Sequence, residues 1–345
     1  MDYPKNIREL GLDQLKEYFI SIGDKKFRAM QTYEWLWKKN ARKFSEMTNL
    51  SLDLRQKLEA DFELNSISTD LVQNSADGTV KMRFRTFDNH LLEGVIIPTE
   101  KRFTACVSSQ IGCSLSCSFC ATGRMERKRN LSFEEIYDQV AILNEQSIKS
   151  FGSGLTNIVF MGMGEPLLNY KDVLKAIERI TSSDSFGMSP KRITVSTAGV
   201  AKMIKKLGDD GVRFNLALSM HTSNYIKRNE IMDNNETNNI KSLTEALNYF
   251  YAKTKSAITL EYVLLNGVND SLQDAKELAE IYKRIPVHTI NVIEYNTVDG
   301  IAFTKSDENN TEAFVKYLSG RKVNVHIRRS RGKDIDAACG QLANK

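Results

Sequence analysis

Three cysteines stand close together in the run GCSLSCSFCATGR, with the spacing CxxxCxxC. Cys113, Cys117 and Cys120 could each bind one iron of a cubane [4Fe–4S] cluster, which would leave the fourth iron without a protein ligand. An iron with an open coordination position can bind a small molecule directly. This arrangement is the one used to bind S-adenosylmethionine (SAM) and to cleave it reductively.

A structural zinc site is the competing interpretation of the same triple. Zinc takes four ligands, usually from two separated CxxC pairs, so the fourth would have to be Cys106 or a more distant residue. A disulfide framework is disfavoured, because the chain is long, has five cysteines and shows no secretory signal at Met1–Lys5. The triple favours a cluster over zinc and leaves both open.

Composition gives the setting for this chemistry. The chain has 345 residues, of which 41% are hydrophobic, enough for one large α/β domain and a small accessory domain. No apolar stretch approaches the length of a membrane span. We therefore expect a cytoplasmic protein whose thiols stay reduced, which suits a cluster.

The net charge of +5 is mild, but its distribution is uneven. Residues 321–333 (RKVNVHIRRSRGK) contain six Lys or Arg and no acid, and residues 124–129 (RMERKR) contain four basic residues and one Glu. Either run alone is typical of a solvated face. Because both flank cysteines, together they indicate a polyanionic partner near the chemistry.

The pattern of apolar residues divides the chain into four parts. Three-to-four spacing predicts a helical accessory domain in 1–65, and alternation predicts a β-hairpin extension in 66–99. Residues 100–335 alternate between β-rich and helical runs, which predicts a parallel sheet with outer helices. About six such units are too few for a closed eight-fold barrel. We predict a partial (βα)6 barrel, followed by a C-terminal segment in 336–345.

A glycine-rich turn follows the second predicted strand of the barrel, in FMGMGEPLLN. Gly162 and Gly164 would let the backbone approach a ligand closely. Glu165 could accept hydrogen bonds from a ligand ammonium group. An isolated turn of this kind is ordinary, but its position two strands into a barrel with a cluster loop predicts a SAM site.

Polar residues also end later strands of the barrel. Ser196 lies in VSTAGV, Ser219 in LALSMHT and Asn296 in IEYN. Each could be only a cap or a turn residue, and His221 taken singly is more typical of a structural histidine. Since the carboxyl ends of parallel strands meet at one edge, these residues predict a polar rim around the site.

Two cysteines remain outside the triple. Cys106 lies on the strand that leads to the cluster loop, and Cys339 lies in DIDAACGQL after the basic run. Gly340 would allow a tight turn beside Cys339. Further thiols near a cluster indicate nucleophilic or redox roles.

The motifs together resemble the RlmN/Cfr family of radical SAM RNA methyltransferases, on its RlmN side. The resemblance covers nearly the whole chain and includes FRAMQTYEWLW, EMTNLSLDLR, CVSSQIGCSLSCSFCATG, FMGMGEPLLN, ITVSTAGV, YVLLNGVNDS and RGKDIDAACGQL. Generic radical SAM enzymes carry only the triple, whereas the triple, Cys106 and the Cys339 tail together are highly specific.

The resemblance implies methylation of carbon 2 of adenosine in 23S ribosomal RNA and in transfer RNA. One SAM would methylate Cys339, and a second SAM on the cluster would give the deoxyadenosyl radical that abstracts hydrogen from the S-methyl group. The methylene radical would add to carbon 2, and Cys106 would resolve the adduct through a transient disulfide with Cys339. A radical route suits this carbon, because it is electron-poor and does not attack a methyl cation equivalent.

The resemblance also implies residue roles and partners. Cys113, Cys117 and Cys120 would be the ligands of one [4Fe–4S] cluster per chain, and two SAM molecules would be used per turnover. Glu93 matches a proton acceptor, although it could be only a strand-edge charge. The positions implied to contact SAM are Gly164, Glu165, Ser196, Ser219, Met220, His221 and Asn296.

For partners, we expect the two basic runs and the accessory domain to hold the RNA, with a loop adenosine unstacked to reach the radical. We also expect a flavodoxin-type electron donor and a monomer.

Three departures from the family pattern concern loops. Residues 232–239 lack the usual proline turn, Asn296 is followed by Thr297 and Val298, and Met220 replaces a common Leu. None removes a reacting group.

Three alternative functions remain. They are a Cfr-like enzyme acting on adenosine carbon 8, which GEPLLN disfavours, a radical SAM activating enzyme, and a zinc-bound RNA-binding module.

Overall fold

The computed structural model describes residues 3, 5–232 and 238–345. The N-terminal part is helical, as predicted. Its helices are α1 (Leu12–Ser21), α2 (Phe27–Trp37) and α3 (Leu52–Asp61). Each helix turns apolar residues inward, with Leu15, Phe19, Leu36 and Leu58 fully buried. Burial of this apolar stripe, rather than helix propensity alone, holds such short helices together.

The extension that follows is antiparallel and has one strand more than the predicted hairpin. It comprises β1 (Ser68–Asn74), β2 (Val80–Arg85) and β3 (Leu91–Thr99). The predicted pair is present, with Val80 opposite Ile96 and Arg85 opposite Leu91. β1 was missed because, as the exposed outer strand, it lacks the alternation of buried and exposed residues that marks a half-buried strand.

The remaining strands and helices form the predicted βα units. The strands are β4 (Arg102–Cys106), β5 (Gln110–Ile111), β6 (Arg129–Asn130), β7 (Asn157–Phe160), β8 (Ile193–Thr197), β9 (Asn215–Ser219), β10 (Ile258–Leu264), β11 (Thr289–Glu294) and β12 (Val325–Arg328). The helices are α4 (Phe133–Phe151), α5 (Tyr170–Thr181), α6 (Ala201–Asp209), α7 (Tyr225–Ile231), α8 (Ile240–Thr254), α9 (Leu272–Tyr282) and α10 (Glu308–Gly320).

One ten-stranded sheet runs through the extension and the barrel, in the order β1-β2-β3-β4-β7-β8-β9-β10-β11-β12. From β4 to β12 neighbouring strands are parallel. Within the described residues β4 pairs with β3 and β7 and not with β12, so the barrel is open. Six βα units and a final strand confirm the predicted partial (βα)6 barrel.

The sequence explains why the helices cover this sheet. α4 begins with a capping box, in which Ser132 and Glu135 bond each other's backbone N–H groups. α5 buries Val173, Ala176 and Ile180 on one face. Since the parallel strands run in the same direction, their C-terminal ends meet at one edge, where the predicted functional residues lie.

In the described ranges, every helix is too short or too polar to span a bilayer. Most of the atypical loop at 232–239 lies outside the described residues, so the predicted change in loop shape there stays a prediction.

Candidate active site

The cluster loop brings the three cysteines to one cavity. The loop leaves β4, forms the small β5–β6 pair, and turns so that the Cys120 N–H donates to the carbonyl of Cys117 at 3.1 Å. Cys113, Cys117 and Cys120 all line one cavity that is open to solvent, called here the cluster cavity.

The three cysteine thiols of the cluster loop have raised pKa values, which a bound cationic group would offset. Burial raises the pKa of Cys113 to about 11 and also raises the pKa of Cys117 and of Cys120. Repulsion among the thiolates adds to the shift in Cys113 and Cys117. Three thiolates here therefore need a compensating positive charge.

The arrangement of the cysteines fits a cluster better than a single ion. Among the residues that the structure describes, no three His, Cys, Asp or Glu side chains are grouped to hold one metal ion. A cubane gives each cysteine its own iron, so its ligands surround the cluster instead of converging on one point. Three cysteines that line one cavity therefore fit a [4Fe–4S] cluster.

The glycine turn after β7 is shaped by contacts within the protein. A Cβ atom on Gly164, whose φ is +93°, would lie 2.5 Å from the Cβ of Gln110. On Gly162 it would lie 2.7 Å from the Ser108 Oγ atom. Both glycines line the cluster cavity, but they are required because the turn packs directly on the strand and loop that carry the cysteines.

Glu165 lies at the end of this turn and is 3% exposed. Its Oε1 atom accepts the N–H of Leu167 at 2.9 Å, and its Oε2 atom accepts the N–H of Ala198 at 2.7 Å. Burial raises the pKa of this carboxyl, and the two backbone donors oppose that shift. The carboxylate therefore ties β7 to the loop after β8 while it lines the cavity, where its remaining lone pairs can receive a ligand ammonium group.

The structure brings together most, though not all, of the residues predicted to contact SAM. Ser196, Ser219 and His221 line the cluster cavity with Gly164 and Glu165. Met220 and Asn296 are buried and are not in its lining. The Asn296 Nδ2 atom donates to the carbonyl of Cys339 at 3.4 Å, while its Oδ1 atom is buried without a hydrogen-bond partner among the described residues.

His221 is a buried neutral histidine. Burial, with a smaller contribution from Arg228, lowers its pKa to about 3. Its Nδ1 atom accepts the N–H of Val263 at 3.2 Å, and its ring meets the Phe119 ring edge-on, with centroids 4.9 Å apart. This geometry agrees with a structural role and leaves Nε2 as the ring donor.

A second cavity adjoins the first and contains the remaining two cysteines. This tail cavity is lined by Cys106 at the end of β4 and by Cys339 of the C-terminal segment. Cys339 also lines the cluster cavity, as do Cys120 and Arg328. Gly340 has a φ of +85°, so the predicted tight turn beside Cys339 is present. Cys339 thus faces both cavities.

The two thiols differ in their surroundings. Cys339 is exposed, whereas Cys106 is buried. Burial raises the pKa of Cys106 to about 12; nearby Cys339 adds to this shift and Arg328 opposes it. At neutral pH Cys106 is therefore a protonated thiol until its surroundings change.

Arg328 and Glu261 were missed by sequence analysis as individual site residues. The Arg328 Nη1 atom lies 3.7 Å from the Glu261 Oε2 atom, which is buried and has no hydrogen-bond partner among the described residues. The charge of Cys339 raises the pKa of Arg328. Arg328 ends the last strand of the sheet, β12, and its position at a C-terminal strand end was the available signal.

Glu93 does not line either cavity. It is fully buried in β3, with its Oε1 atom 3.3 Å from the Lys81 Nζ atom. Its Oε2 atom accepts the backbone N–H groups of Ala343 and Asn344 at 2.9 and 3.0 Å. The predicted proton acceptor therefore lies beneath the C-terminal segment, and its role in the reaction stays a prediction.

Some cations of each basic run contact other residues of the protein and are not free to bind a partner. Arg129 bonds Asp88 and Glu135 through both ends of its guanidinium group. Arg328 faces the two cavities instead of the outer surface. Among the other cations, Arg329 and Lys333 pair with Glu294, and Lys128 pairs with Glu126. The RNA-binding prediction therefore rests on the remaining exposed cations of the two runs: Arg124, Arg127, Arg321, Lys322 and Arg331.

Comparison with known families identifies two regions of the chain. Residues 5–64 match the family model described as the ribosomal RNA large subunit methyltransferase N-terminal domain. Residues 107–280 match the model of the radical SAM superfamily. These matches coincide with the helical domain and with most of the barrel.

Several relatives match this chain over nearly its whole length. A Cytophaga hutchinsonii protein named probable dual-specificity RNA methyltransferase RlmN is 53% identical, with 99% of this chain and 93% of that protein covered. A Geotalea uraniireducens dual-specificity RNA methyltransferase RlmN is 41% identical, covering 99% and 97%. The crystal structure of a radical SAM methyltransferase from Sphaerobacter thermophilus has a TM-score of 0.93 and 34% identity, covering 99% and 100%.

Proposed function

The chain belongs to the RlmN family of radical SAM RNA methyltransferases, and from this membership we propose that it methylates carbon 2 of adenosine in 23S ribosomal RNA and transfer RNA. Its relatives are named for dual specificity toward RNA. The observation that carries the proposal is the position of Cys339, which faces both the cluster cavity and the cavity that contains Cys106.

The cluster cavity would hold the cofactors. Cys113, Cys117 and Cys120 would bind a [4Fe–4S] cluster, and Glu165 with Ser196 would orient SAM. The cluster, when bound, supplies the electron that cleaves SAM reductively. The apolar walls of the cavity, which include Phe119, would exclude water from that step.

Cys339 would carry the methyl carbon. Its thiolate would displace the methyl group of one SAM, forming an S–CH3 bond and releasing S-adenosylhomocysteine. One hydrogen atom of that methyl group would pass to the 5′-deoxyadenosyl group of a second SAM, giving 5′-deoxyadenosine and leaving a methylene radical. The radical carbon would bond to carbon 2 of the base, and the adduct would give up one electron, which balances the electron used to cleave SAM. Arg328 lines both cavities together with Cys339, and the charge of Cys339 raises the pKa of Arg328, so a cation lies near the sulfur that would carry the methyl group.

Cys106 would release the product. Attack of its sulfur on the Cys339 sulfur would form a disulfide and break the bond from that sulfur to the transferred carbon, which then takes a proton and becomes the methyl group. The base loses its original carbon 2 hydrogen as a proton, for which Glu93 is the proposed acceptor. The two cysteines line the same tail cavity, which supports an exchange between them.

Nucleoside mass spectrometry tests the proposed product. The anaerobically reconstituted protein would be incubated with SAM, a reductant and unmodified ribosomal or transfer RNA, with Cys339→Ala as the control. The proposal predicts 2-methyladenosine from the unaltered protein and none from the variant. 8-Methyladenosine would contradict the site of methylation, and no methyladenosine from a protein with an intact cluster would contradict the activity.

A further inference from the structure

The C-terminal segment is bound to the cluster loop through its backbone. The carbonyl of Gly340 accepts the N–H of Ala121 at 2.7 Å, and the carbonyl of Leu342 accepts the Thr122 hydroxyl at 2.6 Å. Ala121 and Thr122 directly follow the last cysteine of the triple. The position of Cys339 is therefore coupled to the loop that would hold the cluster.

The end of the same segment is bound to the extension sheet. Besides the two backbone N–H groups that Glu93 accepts, the Asn344 Nδ2 atom donates to the carbonyl of Leu91 at 2.8 Å. The Arg83 Nη1 atom donates to the carbonyl of Asn344 at 3.2 Å. Of these groups, Glu93 is the one that carries a negative charge, and it is 0% exposed.

We propose that Glu93 is a positioning residue, whose buried carboxylate docks the C-terminal segment and thereby holds Cys339 between the two cavities. A carboxylate that accepts two backbone N–H groups makes charge-assisted bonds, which are stronger than those of a neutral acceptor. Lys81 lies behind it and balances its charge. That the position of Cys339 matters for the reaction rests on the proposed function. The docking of the C-terminal segment by Glu93 does not depend on that function.

Docking also limits when Glu93 can act in the reaction. One of its oxygens is engaged by the segment, and the other faces Lys81 in a buried position. The carboxylate cannot receive a proton from an RNA base while the segment covers it. Proton acceptance therefore requires release of the segment, and the two roles of Glu93 belong to different stages.

Hydrogen exchange of the C-terminal peptide, measured by mass spectrometry, tests this proposal. The full-length protein would be studied without cluster, SAM or RNA, so that failure of the proposed reaction cannot affect the result. Ala343→Pro removes one of the two N–H donors and leaves the Glu93–Lys81 pair in place. We expect exchange around Cys339 to accelerate by about tenfold or more, with exchange in β2 and β3 unchanged.

Substitutions of Glu93 give the second arm of the test. Glu93→Gln keeps an oxygen acceptor but not the charge, so it should loosen the segment less than Glu93→Ala does. A purely structural role in the sheet would instead raise exchange throughout β2 and β3. Unchanged exchange around Cys339 in both Ala343→Pro and folded Glu93→Gln, or acceleration spread over the whole sheet, would overturn the proposal.

Discussion

The buried ion pair between the accessory domain and the barrel gives a sharp prediction. The Arg8 Nη1 atom lies 2.6 Å from the Asp138 Oδ1 atom, and the two side chains are 0% and 2% exposed. The Arg8 guanidinium also lies over the Trp37 ring, 5.6 Å from its centroid. Arg8→Met removes the cation and leaves the carboxylate of α4 buried without its partner.

The size of the effect follows from this burial. Removing one partner of a buried pair costs about 3–5 kcal/mol, and loss of the contact with Trp37, which is also buried, adds about 1–2 kcal/mol. The double variant Arg8→Met/Asp138→Asn removes both charges and keeps an oxygen for the Ile67 N–H, which Asp138 accepts at 3.2 Å. The free energy of unfolding of the double variant should therefore fall by less than about 2 kcal/mol, which is a smaller loss than that of the single variant.

Urea unfolding followed by circular dichroism would measure these free energies. The matched control is Lys16→Met, which breaks an exposed pair with Asp13 whose atoms lie 2.8 Å apart and whose side chains are 38% and 90% exposed. The control should cost less than about 1 kcal/mol. If Arg8→Met cost no more than the control, the reasoning that burial makes this pair important would be wrong.

Two other predictions follow from pKa values. Burial raises the pKa of Cys106 to about 12, whereas Cys339 is exposed. In the cluster-free protein at neutral pH, iodoacetamide should therefore label Cys339 well before Cys106, as measured by peptide mass spectrometry. Equal labelling rates at the two cysteines would contradict this prediction. Burial alone would raise the pKa of Glu294, but Lys333 and Lys305 lower it from 4.5 to about 2. Since this folded-state pKa is depressed, ionised Glu294 adds to the free energy of unfolding above pH 4.5, and this contribution is lost as the pH falls toward 2. The free energies of unfolding of Glu294→Gln and of the unaltered protein should therefore converge over that pH range. A difference independent of pH would refute this interpretation.

The cluster loop could be predicted from sequence because its chemistry is local. Three cysteines within eight residues must lie close together in any fold, so their spacing alone indicates a shared ligand. The barrel could be predicted because each βα unit repeats the same pattern, in which an apolar β-rich run is followed by apolar residues at helical spacing. Ser196 and Ser219 then followed from the rule that strand ends meet at one edge.

Contacts between distant segments account for what the sequence did not reveal. The Glu93 side chain is buried by residues 250 positions later in the chain, which no local pattern signals. Arg328 stands in a basic run typical of a solvated face, but its place at the end of β12 turns it inward. Arg129 likewise meets Asp88, which is distant in sequence, so a run of cations overstated the charge available to RNA.

The relation between Cys339 and Cys106 is the centre of the proposed mechanism, and a Cys106→Ala protein tests it most directly. After one turnover with SAM, a reductant and RNA, the adduct would lack the thiol that resolves it. We predict a covalent protein–RNA species whose linkage maps by mass spectrometry to Cys339. Formation of free methyladenosine by Cys106→Ala at the unaltered rate, or a linkage at another residue, would contradict the account.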